Sequence, residues 1–185
     1  MNVTIIGAGP LGRWLALAAA RAGFSVFLED VMPANLHHAR EVMRQQLGAE
    51  LLHAAADAAP LVSFVSTVED AVREADLVID CVPDELESKL EIFCLIDRMA
   101  PPRTIIATPT TRLSIADLAA CTYRADKCVA IVAEASALTA REQEGGFDDL
   151  LLRTGPLTTP QTVDVVEKFW RGVGFAPRVE PDAAS

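Results

Sequence analysis

The chain opens on an apolar run rich in β-branched residues, Asn2 to Gly7, and strand-like and helix-like spacing alternate from there on. Pro10 to Ala22 is rich in Ala and Leu and predicts a helix, and Phe24 to Glu29 predicts a second strand. Pro33 to Leu47 has helical spacing, which an Ala-rich segment carries past Gly48 to Ala58. Leu61–Ser66 and Asp76–Cys81 read as strands, the second apolar enough to sit centrally in a sheet. In Asp84–Met99, Leu86, Leu90, Phe93 and Ile96 recur at three- and four-residue steps, the mark of a helix with one buried face. Pro101-Pro102 ends it, and Thr104–Ala107 predicts another strand, with a short helix after Ser114. Cys128–Val132, Leu150–Arg153 and Ala176–Val179 complete the strands, with a helix from Thr159 to Arg171 between the last two. This alternation predicts an α/β fold, a mostly parallel, doubly wound sheet with helices on both faces. No repeat or linker interrupts it, so residues 1–185 are expected to form one domain, with Thr139–Asp149 an extended surface loop.

Composition narrows the partners. Apolar residues make up 51 % of the 185, ample for a core, and 26 Asp and Glu against 16 Lys and Arg give a net charge of −10. Such a surface repels phosphate backbones, which argues against nucleic acid and anionic membrane. No Lys or Arg precedes the first apolar run and Arg13 interrupts it, unlike a signal peptide, and no run is long enough to span a bilayer. A cytoplasmic location is expected. Cys81, Cys94, Cys121 and Cys128 form no C-x-x-C pair, so they read as free thiols and no metal site is expected.

The chemistry begins in the turn Gly7-Ala8-Gly9-Pro10-Leu11-Gly12, between the first strand and the first helix. Gly7 permits a tight turn, Gly9 lets backbone approach a pyrophosphate, and Gly12 lets helix and strand pack closely, as in Rossmann-type folds. Pro10 suits a first helical turn, where a missing N–H costs little. Asp30 ends the next strand, where a carboxylate takes ribose hydroxyls and repels a 2′-phosphate, and no Arg occurs in the nine residues after it. These features favour NAD over NADP. A turn with Pro here also occurs in flavin proteins, which keeps FAD as a rival. Glu29, next to Asp30, is expected on the other face of the strand.

Beyond Asp30, the stretch Ala75–Thr122, which contains "VIDCVPDELESK" and "TPTTRL", resembles the NAD-binding domain of 3-hydroxyacyl-CoA dehydrogenases. The resemblance runs from Asn2 to about Val179. It implies an NAD-dependent oxidoreductase of fatty acid metabolism. Gly7, Gly9, Leu11 and Gly12 would line the pyrophosphate, with Pro10 among them, and Asp30 would meet the adenosine ribose. Cys81, Val82 and Pro83 would offer backbone beside the cofactor. Asp84 stands at the family's Glu and Lys89 at its Lys, both near the nicotinamide half, or else Lys89 is a solvated helix lysine. Thr111 stands at a Ser that meets the substrate oxygen, or else is a loop hydroxyl bonded to local backbone.

Departures from the family pattern are as telling. Its members use a His, oriented by a Glu, to take the hydroxyl proton as hydride leaves. Aligned from Leu113, the His position is Val132 and a following Asn position is Ala135. Counting straight on puts the Glu at Glu144, whereas anchoring on Pro156–Thr159 puts it at Leu151, the preferred reading because that Glu belongs to a strand. The three histidines, His37, His38 and His53, fall in the helical region after the second strand and read as exposed. Trp14 takes the place of a fourth Gly, Pro109–Arg112 replaces an Asn-Thr-Ser-Ser turn, and the family's helical C-terminal domain does not follow. The sequence thus predicts an NAD(H)-binding sensor, regulator or subunit with no standard catalytic residue. An oxidoreductase acting on an acyl-CoA-like hydroxy substrate through Thr111 or Glu134, with or without a partner chain, is the alternative. A Rossmann fold that has lost its ligand is the third reading. Self-association or a partner chain is expected to cover the face left by the missing domain.

Overall fold

The computed structural model describes residues 1–47, 61–133 and 148–182. Eight strands form one sheet: β1 (Asn2–Ile6), β2 (Ser25–Glu29), β3 (Val62–Val65), β4 (Leu77–Asp80), β5 (Ile105–Pro109), β6 (Cys128–Val132), β7 (Asp148–Thr154) and β8 (Phe175–Pro181). Their spatial order is β3-β2-β1-β4-β5-β6-β7-β8. Every neighbouring pair is parallel except β6 and β7. The expected doubly wound sheet is present, and its single antiparallel step was not legible in the spacing.

The helices are α1 (Pro10–Arg21), α2 (Pro33–Leu47), α3 (Val68–Val72), α4 (Leu86–Met99), α5 (Ile115–Ala119) and α6 (Pro160–Gly172). Alternation along the strands divides the core. Ile5, Leu28, Ile79 and Val129 pack with Leu15 of α1 and Phe169 and Trp170 of α6. Ile6, Val78 and Ile106 pack on the opposite face with Phe93 and Ile96 of α4 and Leu118 of α5. The sequence reading passed over α3, whose five residues are too few to show a period. Its start is nonetheless marked by a capping residue, the Thr67 hydroxyl accepting the Asp70 N–H.

Trp14 lies on the first of these faces. Its ring meets Phe175 edge-on at 6.0 Å, and Phe175, Trp170, Phe169 and Phe24 continue the contact. The side chain therefore ties α1 to β8. Beyond β8, the Asp182 carboxylate accepts the Ser114 hydroxyl and the Ile115 N–H, both at 2.8 Å, and so closes the start of α5. No helix among the described residues is long and apolar enough to cross a membrane.

Candidate nucleotide-binding site

Strands β2 and β3 lie to one side of β1 and β4 returns to the other. The loops leaving β1 and β4 therefore part, and a crevice opens at their carboxyl ends, the usual ligand position in a sheet of this type. The crevice has a volume of about 1330 Å³. Its wall includes Gly7, Gly9, Pro10 and Leu11 from the first turn, Asp30 from the end of β2, Cys81–Asp84 after β4, and Thr111 after β5.

Each glycine of the turn answers a different demand. Gly7 has φ +97°, a region other residues rarely adopt, and a Cβ there would sit 3.2 Å from the Cys81 carbonyl oxygen. A Cβ on Gly12 would overlap the Gly7 carbonyl oxygen, so Gly12 is a packing residue behind the crevice wall rather than part of it. A Cβ on Gly9 would meet nothing within 4 Å, since that Cα faces the open crevice. Gly9 is also the N-cap of α1, with no side chain closing the helix end and no acid in its first turn. The first-turn N–H groups are left for an anion, which the helix dipole favours.

Asp30 is 8 % exposed and is held by three donors. Its Oδ2 accepts the Ala8 N–H at 2.9 Å and the Asn35 side-chain amide at 3.0 Å, and its Oδ1 accepts the Met32 N–H at 2.8 Å. The carboxylate thus clamps the glycine turn to the end of β2 and keeps unused lone-pair capacity toward the crevice. Asn35, which also lines the crevice, stands on the oxygen that a ribose hydroxyl would seek. Sequence reasoning missed it. Its signal was a side-chain amide at the start of α2, one turn from Asp30.

Lys89 does not line the crevice and is fully buried, a correction to the position the resemblance implied for it. Its Nζ donates to Asp80 at 3.2 Å and to the Thr108 hydroxyl at 2.9 Å, and that hydroxyl donates to the same Asp80 oxygen at 2.6 Å. The other Asp80 oxygen accepts the Val82 N–H at 3.0 Å. Burial pushes the Asp80 carboxyl up, while Lys89, Thr108 and the Val82 N–H pull toward its charged form. This cluster pins the turn that presents Val82, Pro83 and Asp84. Burial, then the Asp80 charge, also raises the Cys81 thiol, which stays protonated.

At the far end of the crevice, Asp84 Oδ2 accepts the Thr111 N–H at 3.3 Å, and Asp84 Oδ1 is buried without a partner among the described residues. Asp84 lines the crevice, so its carboxylate could meet a ligand that brings donors. Pro109 and Ala133 border the same region. The antiparallel register sets Val132 directly opposite Leu151. His37 and His38 are exposed on α2, while His53, Glu134 and Glu144 lie outside the described residues. Trp14 is absent from the crevice wall, and no group of three metal-ligating side chains occurs among the described residues.

Comparison with known proteins agrees with this geometry. The sequence pattern of the 3-hydroxyacyl-CoA dehydrogenase NAD binding domain matches residues 2–132. The 5-formyl-3-hydroxy-2-methylpyridine 4-carboxylate 5-dehydrogenase of Mesorhizobium japonicum is 30 % identical over 183 residues, 96 % of this chain and 56 % of the relative. A probable 3-hydroxybutyryl-CoA dehydrogenase of Bacillus subtilis is 31 % identical over 134 residues, 69 % of this chain and 46 % of its own. The crystal structure of (S)-3-hydroxybutyryl-CoA dehydrogenase from Ralstonia eutropha superposes with a TM-score of 0.81 at 23 % identity, over 98 % of this chain and 64 % of that one. The chain spans about half the length of the curated relatives it matches.

Proposed function

Since this chain belongs to the 3-hydroxyacyl-CoA dehydrogenase family through its NAD-binding domain, we propose that it binds NAD(H) and serves as a sensor, regulator or subunit without the family's proton-transfer step. The observation that carries this reading is a contrast between the nucleotide cradle and the two positions that the family's proton transfer would need. The glycine turn, the open helix end and Asp30 form a coherent nucleotide cradle, whereas the two positions assigned to the His and the Glu hold Val132 and Leu151.

The turn and the first N–H groups of α1 would hold the pyrophosphate, Asp30 the adenosine ribose, and Asp84 and Thr111 the nicotinamide half. NAD supplies the hydride-accepting carbon when bound. The chain's part is to orient it, with Lys89 and Asp80 fixing the Val82–Asp84 turn from beneath. A positioned acid–base group is worth about 10² to 10⁴ in rate, so aliphatic side chains at both positions leave little of that step.

Titration with NADH, followed by its fluorescence, tests the binding half of the proposal. Saturable binding is expected, and none up to millimolar NADH overturns it. Acetoacetyl-CoA with NADH tests the other half, with no turnover expected. Turnover would favour the second reading, an oxidoreductase for hydroxyacyl-CoA-like substrates, for which the placement of Thr111 in the crevice wall speaks. Self-association, or a partner chain over the crevice side, belongs to the same proposal. Val31, in the crevice wall, and Met32 and Leu86 are exposed large apolar side chains, and light scattering showing a strict monomer at high concentration would contradict it.

A further inference from the structure

The crevice does not stop at Asp30. It continues into an apolar groove walled by Val68 of α3 and by Ile92, Leu95 and Met99 of α4. The last residue of β2, Glu29, opens into it. In the sheet register Glu29 pairs with Ile6 on one side and Val65 on the other, so its side chain shares the α3–α4 face with Ile6, opposite to Leu28. Glu29 is 5 % exposed and lines the crevice, and its carboxylate has no hydrogen-bond partner among the described residues. Its backbone is committed, since the Glu29 carbonyl accepts the Gly7 N–H at 2.8 Å and the next residue's N–H bonds to Val65. The strand backbone thus fixes the Cα–Cβ bond of Glu29 toward this face of the sheet.

A carboxylate largely withdrawn from water at the wall of a cleft, with no partner among the described residues, is open to a ligand that brings a donor. Geometry says which part of the ligand arrives here. With a pyrophosphate at the helix end and a ribose at Asp30, the base on that ribose extends away from the turn, into the groove. Apolar walls on two sides suit a flat purine, and the edge of adenine carries an exocyclic amino group, a donor. The other acids of the crevice wall are Asp30, Glu69 of α3, Asp84 and Glu91 of α4, and no Lys or Arg is in that wall.

We propose that Glu29 is a specificity-determining residue that reads the adenine base, accepting a hydrogen bond from its exocyclic amino group. The proposal rests on the NAD(H)-binding reading above and adds to it a contact made by this chain's own side chain. Burial, then the Asp30 charge, pushes the Glu29 carboxyl up to about 7, so the ionised acceptor is the majority form in mildly alkaline buffer.

The test compares NADH with reduced nicotinamide hypoxanthine dinucleotide, in which a carbonyl oxygen replaces the amino group, by fluorescence titration of the full chain at about pH 8. The intact protein is expected to prefer NADH by about tenfold or more, the range for losing a hydrogen bond to a charged acceptor. Glu29→Leu is expected to bring the two within about threefold, and Glu29→Gln, whose amide can donate to the carbonyl, to move the ratio toward hypoxanthine. Circular dichroism melts establish that the variants fold. Equal binding of both dinucleotides by the intact protein, or an unchanged ratio in both variants, overturns this proposal alone. Failure to bind either dinucleotide overturns the cofactor reading and takes this one with it.

Discussion

Val132 and Leu151 face each other directly across the antiparallel step between β6 and β7. The family's His and Glu were assigned to these positions from sequence by two separate anchors, and the register brings the two together. Side chains so paired have Cβ atoms about 4.5–5.5 Å apart, within reach of an imidazole–carboxylate contact. Glu144, where the straight count falls, lies outside the described residues.

A graft checks the pairing. His in Val132→His alone should titrate near the ordinary histidine value, and adding Leu151→Glu should raise it by about one unit, as a carboxylate at this range does. Proton NMR of the imidazole reports it. An identical titration in both variants would mean that the two side chains do not meet.

Two glycine substitutions should separate folding from binding. Gly12→Ala forces a methyl group into the Gly7 carbonyl oxygen and should cost about 1–3 kcal/mol or more in urea unfolding. Gly9→Ala meets open space, so stability should stay within about 0.5 kcal/mol. Its methyl group would point where a pyrophosphate must approach, and NADH affinity should fall by about tenfold or more.

The Lys89–Asp80 pair invites a cycle. Lys89→Met strands a buried carboxylate and should cost about 3–5 kcal/mol, while adding Asp80→Asn should restore part of that loss. Denaturant midpoints of the two single variants and the double variant decide it. Strict additivity would show that the two groups do not act as a pair.

Glu29 makes a signed prediction about pH. Its carboxyl holds a proton up to about 7 in the folded chain, against 4.5 when unconstrained. Between those values the folded state binds the extra proton, so this group's favourable contribution is complete below about pH 4.5 and is lost as pH rises through about 7. Relative to the intact protein, Glu29→Gln should therefore gain on the order of 2 kcal/mol in passing from about pH 4.5 to about pH 8, after allowance for water in the open crevice. Urea unfolding at the two pH values measures the difference. A gap that shrinks on going alkaline would reverse the assignment.

Trp14 should matter to the fold and not to the ligand. Trp14→Gly removes the ring from Phe175 and puts a glycine inside α1, for a loss of about 3–5 kcal/mol. NADH affinity, measured well below the variant's midpoint, should be unchanged, since the ring stands outside the crevice wall.

What the sequence disclosed follows the range of the interactions. The glycine turn and Asp30 were legible because their demands are local: a positive φ, a helix end and the next strand's terminus. Strand and helix periods gave the doubly wound sheet for the same reason. Lys89 was not legible, because a helix lysine looks the same whether it meets water or an acid. Its destination depends on Asp80 of β4 and Thr108 of β5. The acid at the end of an otherwise apolar β4 was the available clue. Alternation set Glu29 on the other face of the strand from Asp30, but it could not show that the crevice wraps around the strand end and is lined by both.

The bond from Asp182 to Ser114 and Ile115 spans 67 to 68 residues of chain, whereas the clamp of Asp30 on Ala8 spans 22. A chain emerging from the ribosome can secure the phosphate end of its crevice early. The start of α5, which follows the loop carrying Thr111, is tethered by a residue beyond β8, so that part of the wall depends on chain made much later.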